Sequence, residues 1–261
     1  VYIIERIYDG YLATRSTSVV YYSFLYLGCI GLAGSTYQRN QVWASCEDFW
    51  HDVVLKAPNK ARSHNNYGVE LVKTANQLKR EGKEEQAQQI YARAIQSYRQ
   101  AILLEPNYPD VYSNLSVAYT ILDQLDNAIE VASTAIRLFP HYPEAHMNLG
   151  TQFLEKKEYA KAEIAFKNAI SRRPHYGKAY YNLARAYEEQ GEHQKSWQAL
   201  VDASKVDFDR KPECWLALGQ ACLRLGKHKD AIQALEKYHV IDADPTPQRA
   251  YIGTTYLANA Y

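Results

Sequence analysis

Apolar residues recur at helical spacing over most of the chain, and the pattern itself repeats after 34 residues. Three such blocks follow one another from Pro109, Pro143 and Gly177. Each block holds two apolar runs joined by a short polar turn, which predicts two antiparallel helices. We therefore expect an all-α solenoid in which each helical hairpin packs only on its neighbours.

Residues of similar size occupy the same places in the three blocks. Positions 8, 20 and 27 are small, which lets two helix backbones approach, and position 32 is proline in two blocks, where it ends the second helix. These residues are Ser116, Gly150 and Ala184, then Ala128, Ala162 and Ser196, then Ala135, Ala169 and Ala203, and finally Pro140 and Pro174 with Phe208 in the third block. The register indicates close packing between the helices of a pair.

This arrangement resembles the tetratricopeptide repeat (TPR), and the resemblance implies a right-handed superhelix of helical hairpins that binds other proteins. A fourth block begins at Pro212 after a slip of one residue, and a last helix is predicted over 248–261. The resemblance covers residues 59–261, so we expect the TPR domain to have those bounds.

The first hairpin is longer than the others. Tyr67 and Gly68 take positions 7 and 8, but the matching Ala94 and Tyr98 come 14 residues later than a 34-residue unit allows. Fourteen residues add about two turns to each of two helices. We expect an extended hairpin over 61–106 that projects beyond its neighbours, either as a docking element or as a tolerated insertion.

A different pattern precedes the repeats. No charged residue lies between Arg15 and Arg39, and residues 19–33 are strongly apolar. With its Ser, Thr and Tyr flanks this stretch reaches about 20 residues, the length that spans a bilayer. The prediction is a membrane-proximal segment over 1–15 and a transmembrane helix over 16–38. The alternatives are a signal peptide, which the acidic residues upstream disfavour, and a helix buried under the repeats.

Residues 39–58 connect this segment to the repeats. Trp43, Phe49 and Trp50 share one helical face, and Pro58 ends the pattern. We expect a linking amphipathic helix there. Basic residues lie on both sides of the predicted span, so charge does not orient it in the membrane.

Composition and spacing exclude several functions. Thirty basic and 29 acidic residues nearly cancel, which argues against a nucleic-acid partner. The four cysteines form no CxxC pair and lie near no histidine cluster, so we expect neither a metal nor a cofactor. Since no spacing of catalytic side chains or phosphate-binding glycines stands out, we expect no enzyme and no small-molecule substrate.

In a TPR superhelix the first helix of each hairpin lines the concave face, and its position 6 is asparagine in four successive hairpins. An asparagine amide both donates and accepts, so a ladder of them is predicted to hold the backbone of an extended peptide. The ladder resembles the one in the TPR domain of the O-linked N-acetylglucosamine transferase, although asparagine is common at this position in TPR units. The predicted partner-binding residues are Asn66, Asn114, Asn148 and Asn182, with Met147, Tyr181 and Arg185 beside them.

A second resemblance extends over the whole chain. The stretch from TYQRNQVW to NNYG, with the uncharged span before it and the repeats after it, is similar to the C-terminal part of the transmembrane-and-TPR O-mannosyltransferase-like family and its bacterial relatives. The resemblance implies that Val1 lies near the end of a membrane domain and that the repeats lie on the periplasmic or lumenal side. It does not imply catalysis in this chain, because the acidic residues of such a transferase would lie upstream.

The leading hypothesis is a TPR scaffold that crosses a membrane once within this chain and binds a protein or an extended peptide as a subunit of a membrane complex. One alternative is the TPR tail of a multi-spanning glycosyltransferase. The other is a soluble TPR adaptor whose N-terminal segment packs on the repeats.

Overall fold

The computed structural model describes residues 26–37, 45–206, 211–241, 255, 256 and 258. This part of the chain contains helices and turns but no strand. The predicted segment 1–15, the ends of the predicted span 16–38, the start of the linking segment and most of the predicted last helix 248–261 lie outside the described residues.

The described residues form twelve helices before residue 242. They are α1 (26–37), α2 (Cys46–Lys56), α3 (Ala61–Arg80), α4 (Glu84–Leu104), α5 (Pro109–Ile121), α6 (Leu125–Leu138), α7 (Pro143–Glu155), α8 (Tyr159–Arg172), α9 (Gly177–Glu189), α10 (His193–Ser204), α11 (Pro212–Arg224) and α12 (His228–Ile241). From α3 onward, consecutive helices pair as five hairpins, and each hairpin packs on the next. The all-helical solenoid predicted from the repeat is therefore confirmed.

Helix α1 lies within the predicted membrane span. Every residue of it is exposed, including Tyr26, Leu27, Ile30, Leu32 and Tyr37. Within the described part of the chain, no helix combines the length and the apolar character needed to cross a membrane.

The first hairpin is longer than those that follow. Helices α3 and α4 have 20 and 21 residues, whereas α5 and α6 have 13 and 14. Seven more residues extend each helix by about 10 Å. Part of this extension is covered, since Ala75, Ala87 and Tyr91 pack together with Ile121 and Leu122 at the end of α5.

Helix α2 packs against the first hairpin. Its Trp50 and Val54 contact the hydrophobic core that α3, α4 and α5 share, and its His51 ring stacks on the Tyr67 ring at 5.4 Å between centroids. The N-cap Ser45 accepts a hydrogen bond from the Asp48 N–H, which fixes the start of α2. The amphipathic segment thus covers the apolar side that α3 would otherwise expose.

The turn inside every hairpin has the same backbone. One residue takes a positive φ, and the N–H that follows it donates to a carbonyl five residues earlier, as in a Schellman motif. The residues with positive φ are Gly82, Asp123, Lys157, Gly191 and Gly226. Each turn therefore ends the first helix and starts the second with the same geometry.

Candidate partner-binding face

The first helices of the hairpins lie side by side. Helices α3 and α5, α5 and α7, and α7 and α9 are in contact, whereas the second helices of successive hairpins make no comparable contact. A stack of hairpins curves toward the side on which successive helices approach each other more closely, so the first helices line its concave face. The concave face therefore carries the position-6 asparagines and their neighbours.

The position-6 amides connect consecutive first helices. Asn114 Nδ2 donates to Asn65 Oδ1 at 2.9 Å, and Asn148 Nδ2 donates to Ser113 Oγ at 2.8 Å. Asn182 Nδ2 lies 3.9 Å from Met147 Sδ. In each case the acceptor occupies position 5 of the preceding hairpin.

Burial divides the predicted residues into two groups. Asn148, Asn182 and Met147 are buried, with 4%, 5% and 6% of their surface exposed. Their amide hydrogens and the Met147 sulfur make contacts between neighbouring first helices. In this structure these side chains therefore lie beneath the concave face and do not present donors to a peptide. Asn66 and Asn114 are half-buried and lie nearer the surface.

Tyr181 and Arg185 lie together at a cavity. The cavity has a volume of about 190 Å³ and lies between α9, α10 and α11. Its lining comprises Tyr181, Ala184, Arg185, Glu188, Ser196, Leu200, Ala217, Gln220, Ala221 and Arg224. Two of the seven predicted residues therefore share one site, more than one helical hairpin away from Asn66 and Asn114.

The cavity forms where the asparagine ladder ends. Position 6 of the fifth hairpin is Ala217, whose methyl group cannot reach Tyr181 and Arg185 as the preceding asparagines reach their partners. Helices α9 and α11 accordingly make less contact than the other successive first helices do. Loss of one bridging amide leaves a gap that opens between the two helices.

Charged groups of both signs surround the cavity. Arg185 Nη2 lies 3.8 Å from Glu155 Oε1, which is beyond hydrogen-bonding distance, and each side chain is about half exposed. Arg224 pairs with Glu188, whose carboxylate also contacts His193 Nδ1 at 3.1 Å. Surface ion pairs of this kind contribute at most about 1 kcal/mol, so they can exchange partners when a ligand binds.

The Tyr181 phenol is neutral at physiological pH. Burial raises its pKa above the ordinary value for tyrosine, and the Arg185 guanidinium opposes this only in part. The ring therefore offers an uncharged aromatic wall to the cavity.

Models of tetratricopeptide-repeat families match most of the helical region. A TPR repeat model matches residues 82–120, a second tetratricopeptide repeat model matches 153–215, and a third matches 122–174 and 194–246. Together these matches run through four of the five hairpins and into the first. This chain is a tetratricopeptide-repeat protein.

Solved structures of other tetratricopeptide-repeat proteins have the same fold. Yeast Tom70 is 18% identical with a TM-score of 0.65, over 82% of this chain and 42% of Tom70. A thermophilic TPR protein from Thermus thermophilus is 19% identical with a TM-score of 0.54, over 74% of this chain and 98% of that protein. MamA from Desulfovibrio magneticus is 20% identical with a TM-score of 0.51, over 68% and 97%. At these identities the likeness concerns the fold.

The sequence analysis did not identify Ser196, Gln220 and Arg224, which line the cavity between α9, α10 and α11. Two features of the sequence mark the place: Ala217 interrupts the asparagines at position 6, and Ser196 interrupts the alanines at position 20. Either departure alone is unremarkable for a repeat protein, and only the folded stack shows that the two face one cavity. The described residues contain no group of three His, Cys, Asp or Glu placed to hold a metal ion.

Proposed function

We propose that this tetratricopeptide-repeat protein is a scaffold that binds an extended segment of another protein along its concave face. Tetratricopeptide repeats imply protein–protein interaction, and the family consists in general of non-enzymatic scaffolds. The observation that carries the proposal is the continuous face of first helices from α3 to α9. Its accessible side chains combine hydrogen-bonding and apolar groups: Asn66, Asn114, Val117, Tyr181 and Arg185.

Photo-crosslinking tests where the partner lies. A benzophenone amino acid at Val117, 41% exposed on α5, reports on the concave face, and one at Ile164, 63% exposed on the second helix α8, is the matched control. We expect a discrete protein adduct in cells from position 117 and none from position 164. Equal adducts from both positions, or none from either, contradict binding on the concave face.

We further propose that residues 16–38 hold the scaffold at a membrane. The support is the uncharged sequence together with the exposure of every residue of α1, since an apolar helix that is exposed on all sides lacks a partner that buries it. A bilayer supplies such a partner to a segment of this length.

Flotation of membranes on a density gradient tests the anchor. The full chain should float, and a variant with L27D, I30D and L32D should remain at the bottom, because aspartates are costly in the bilayer core. A second control is a shorter chain that lacks residues 16–38 and should not float. It should begin at Ser45 so that α2 stays packed on the first hairpin. If the aspartate variant floats as well as the unchanged chain, residues 16–38 are not the anchor.

The proposal places the repeats on the periplasmic or lumenal side, in line with the resemblance to the O-mannosyltransferase-like family. Cys46 is an exposed thiol at the start of α2, while Cys214 and Cys222 are buried. A maleimide that cannot cross membranes should label Cys46 from outside intact spheroplasts. In inside-out vesicles the membrane should protect Cys46 from the same reagent. Labelling that appears only after lysis of spheroplasts, and that C46S abolishes, contradicts this side.

A further inference from the structure

A buried serine lines the floor of the cavity between α9, α10 and α11. Ser196 is 2% exposed, and it is one of the residues that line the cavity. The other four hairpins have alanine at this position: Ala94, Ala128, Ala162 and Ala231. A hydroxyl at the wall of an apolar cavity requires desolvation that alanine avoids, so a serine at this position points to a polar ligand group that reaches it.

The size of the cavity limits what can enter. Small-molecule sites usually occupy about 300–1,000 Å³, and the volume here is about 190 Å³. An apolar cavity of about 150 Å³ admits benzene. The space therefore fits one aromatic ring with a small substituent, as a single side chain would supply, and not a cofactor.

The walls and the rim have different chemistry. Leu200, Ala184, Ala217 and Ala221 form an apolar wall beside the Tyr181 ring. At the rim, the Arg185 guanidinium is half exposed and lies 3.8 Å from the Glu155 carboxylate. An occupant should thus have an apolar body, a polar tip that reaches the Ser196 hydroxyl, and a negative charge near Arg185.

We infer that this cavity, defined as the tyrosine pocket, receives a tyrosine side chain of a bound peptide that carries an acidic residue next to that tyrosine. The inference rests on the proposed peptide-binding function and names the side chain that anchors the peptide at one end of the concave face. The tyrosine ring fills the space left by the missing amide at Ala217, and its hydroxyl exchanges a hydrogen bond with Ser196 Oγ. The neighbouring carboxylate accepts from Arg185 in place of Glu155.

A set of synthetic peptides tests the pocket directly on the purified full chain. Each peptide is a short Ser-Gly sequence with one central residue, which is Tyr, Phe or Ala, and with Glu, Gln or Lys on both sides. Fluorescence anisotropy up to ~1 mM protein gives the dissociation constants. We expect the Glu-Tyr-Glu peptide to bind best, with Phe in place of Tyr weaker by about threefold to tenfold, since one hydrogen bond is lost.

Three variants of the chain relate this preference to the pocket. S196A introduces the residue of the other four hairpins, and it should remove the preference for Tyr over Phe while Phe binds as before. A217N restores the bridging side chain and fills the cavity, so it should weaken the Glu-Tyr-Glu peptide by about tenfold or more. A160N, the same substitution at an exposed site on α8, should leave all affinities unchanged.

Several results would overturn the inference. They are a preference for Tyr over Phe that persists in S196A, an unchanged affinity in A217N, equal binding of the Ala and Tyr peptides, or no binding by any peptide of the set. Crosslinking at Val117 is independent of the pocket. If that crosslink forms while the peptide set shows no preference, the tyrosine pocket fails and the proposed function stands; if neither is seen, both fail.

Discussion

Position 8 of each first helix faces position 24 of the second helix, and the sizes of the two residues compensate. A Cβ added to Gly68, Gly150 or Gly219 would lie 2.6–2.7 Å from the opposing Tyr98, Phe166 or Leu235. The other two hairpins have Ser116 with Ala132 and Ala184 with Leu200 at these positions. The glycines therefore serve close packing, since a larger residue on one helix requires a smaller one on the other.

G150A tests this compensation. Overpacking costs about 1–3 kcal/mol, and the higher helix propensity of alanine offsets about 1 kcal/mol of that. We expect the free energy of unfolding to fall by about 1 kcal/mol in urea denaturation. The double variant with F166L recreates the Ala–Leu pair of α9 and α10, and it should lose at least about 0.5 kcal/mol less than the sum of the single variants. Strict additivity would show that the two positions do not interact.

The left-handed residue of the hairpin turn gives a second test. Lys157 has a φ of 60°, a conformation that costs a residue with a Cβ about 1–2 kcal/mol. We expect K157G to raise the free energy of unfolding by about 0.5–1 kcal/mol, after allowance for the greater entropy of unfolded glycine. G191A, at a φ of 74° with open space around its Cβ, should lower it by a similar amount. Thermal unfolding of both variants checks the opposite signs.

His146 makes stability depend on pH. Its Nε2 lies 3.2 Å from the Pro140 carbonyl, and burial lowers its pKa below the ordinary value of 6.5, helped by the Arg172 charge. Because the unfolded chain then binds the proton more readily, the contribution of His146 to stability is present above about pH 6.5 and is lost as the pH falls. We expect the free energy of unfolding to fall between pH 7 and pH 5.

Tyr112 has the same position in the preceding hairpin as His146, and it suggests a substitution that tests this prediction. Tyr112 donates its hydroxyl hydrogen to the Pro106 carbonyl at 3.1 Å, so H146Y should retain a donor that does not titrate in this range. Denaturation at several pH values should show a flatter profile for H146Y, and H175N, at an exposed turn, should keep the original slope. An equal slope in H146Y and the unchanged chain would assign the pH dependence elsewhere.

At the scale of helices, the position-6 asparagines join one hairpin to the next. Besides its 2.8 Å bond to Ser113 Oγ, Asn148 Nδ2 lies 3.3 Å from the Ser113 carbonyl and 3.3 Å from Ser116 Oγ. Removing this buried amide removes its contacts with the preceding helix, although the Ser113 carbonyl still accepts from the Ser116 hydroxyl at 3.0 Å. The asparagines are therefore part of the interface between hairpins, whatever their role in binding.

N148A should lower the free energy of unfolding by about 1–3 kcal/mol. N66A is the matched control, because Asn66 has the same position in the first hairpin but makes no side-chain hydrogen bond within the described residues. We expect N66A to change stability by less than about 0.5 kcal/mol. If the proposed binding face is correct, N66A instead weakens the crosslink from Val117. Similar losses of stability in both variants would argue against a special role for the interface amide.

At the scale of the whole molecule, each hairpin contacts only its neighbours, so local stability depends on place in the stack. Helices α7 and α8 are covered on both sides, whereas α12 has a hairpin on one side only within the described chain. Hydrogen exchange followed by mass spectrometry should show the greatest protection in α7 and α8 and less in α12. Uniform protection along the stack would indicate a single cooperative unit.

The sequence alone determined the helical hairpins and their stacking. A period of 34 residues with small side chains at fixed positions is a local property, because each repeat contacts only the next one. The 14 additional residues of the first hairpin could be located for the same reason, and α3 and α4 are 20 and 21 residues long.

Only the tertiary structure decided how the asparagines are used and where a cavity forms. An amide at position 6 can face a peptide or the preceding helix, and the sequence does not state the distance between helices that selects one. In the folded stack Asn148 and Asn182 turn to the preceding helix and are buried. The tyrosine pocket depends on Ala217, Ser196 and Arg185 meeting across three helices, which is a matter of packing between repeats and not of any one repeat.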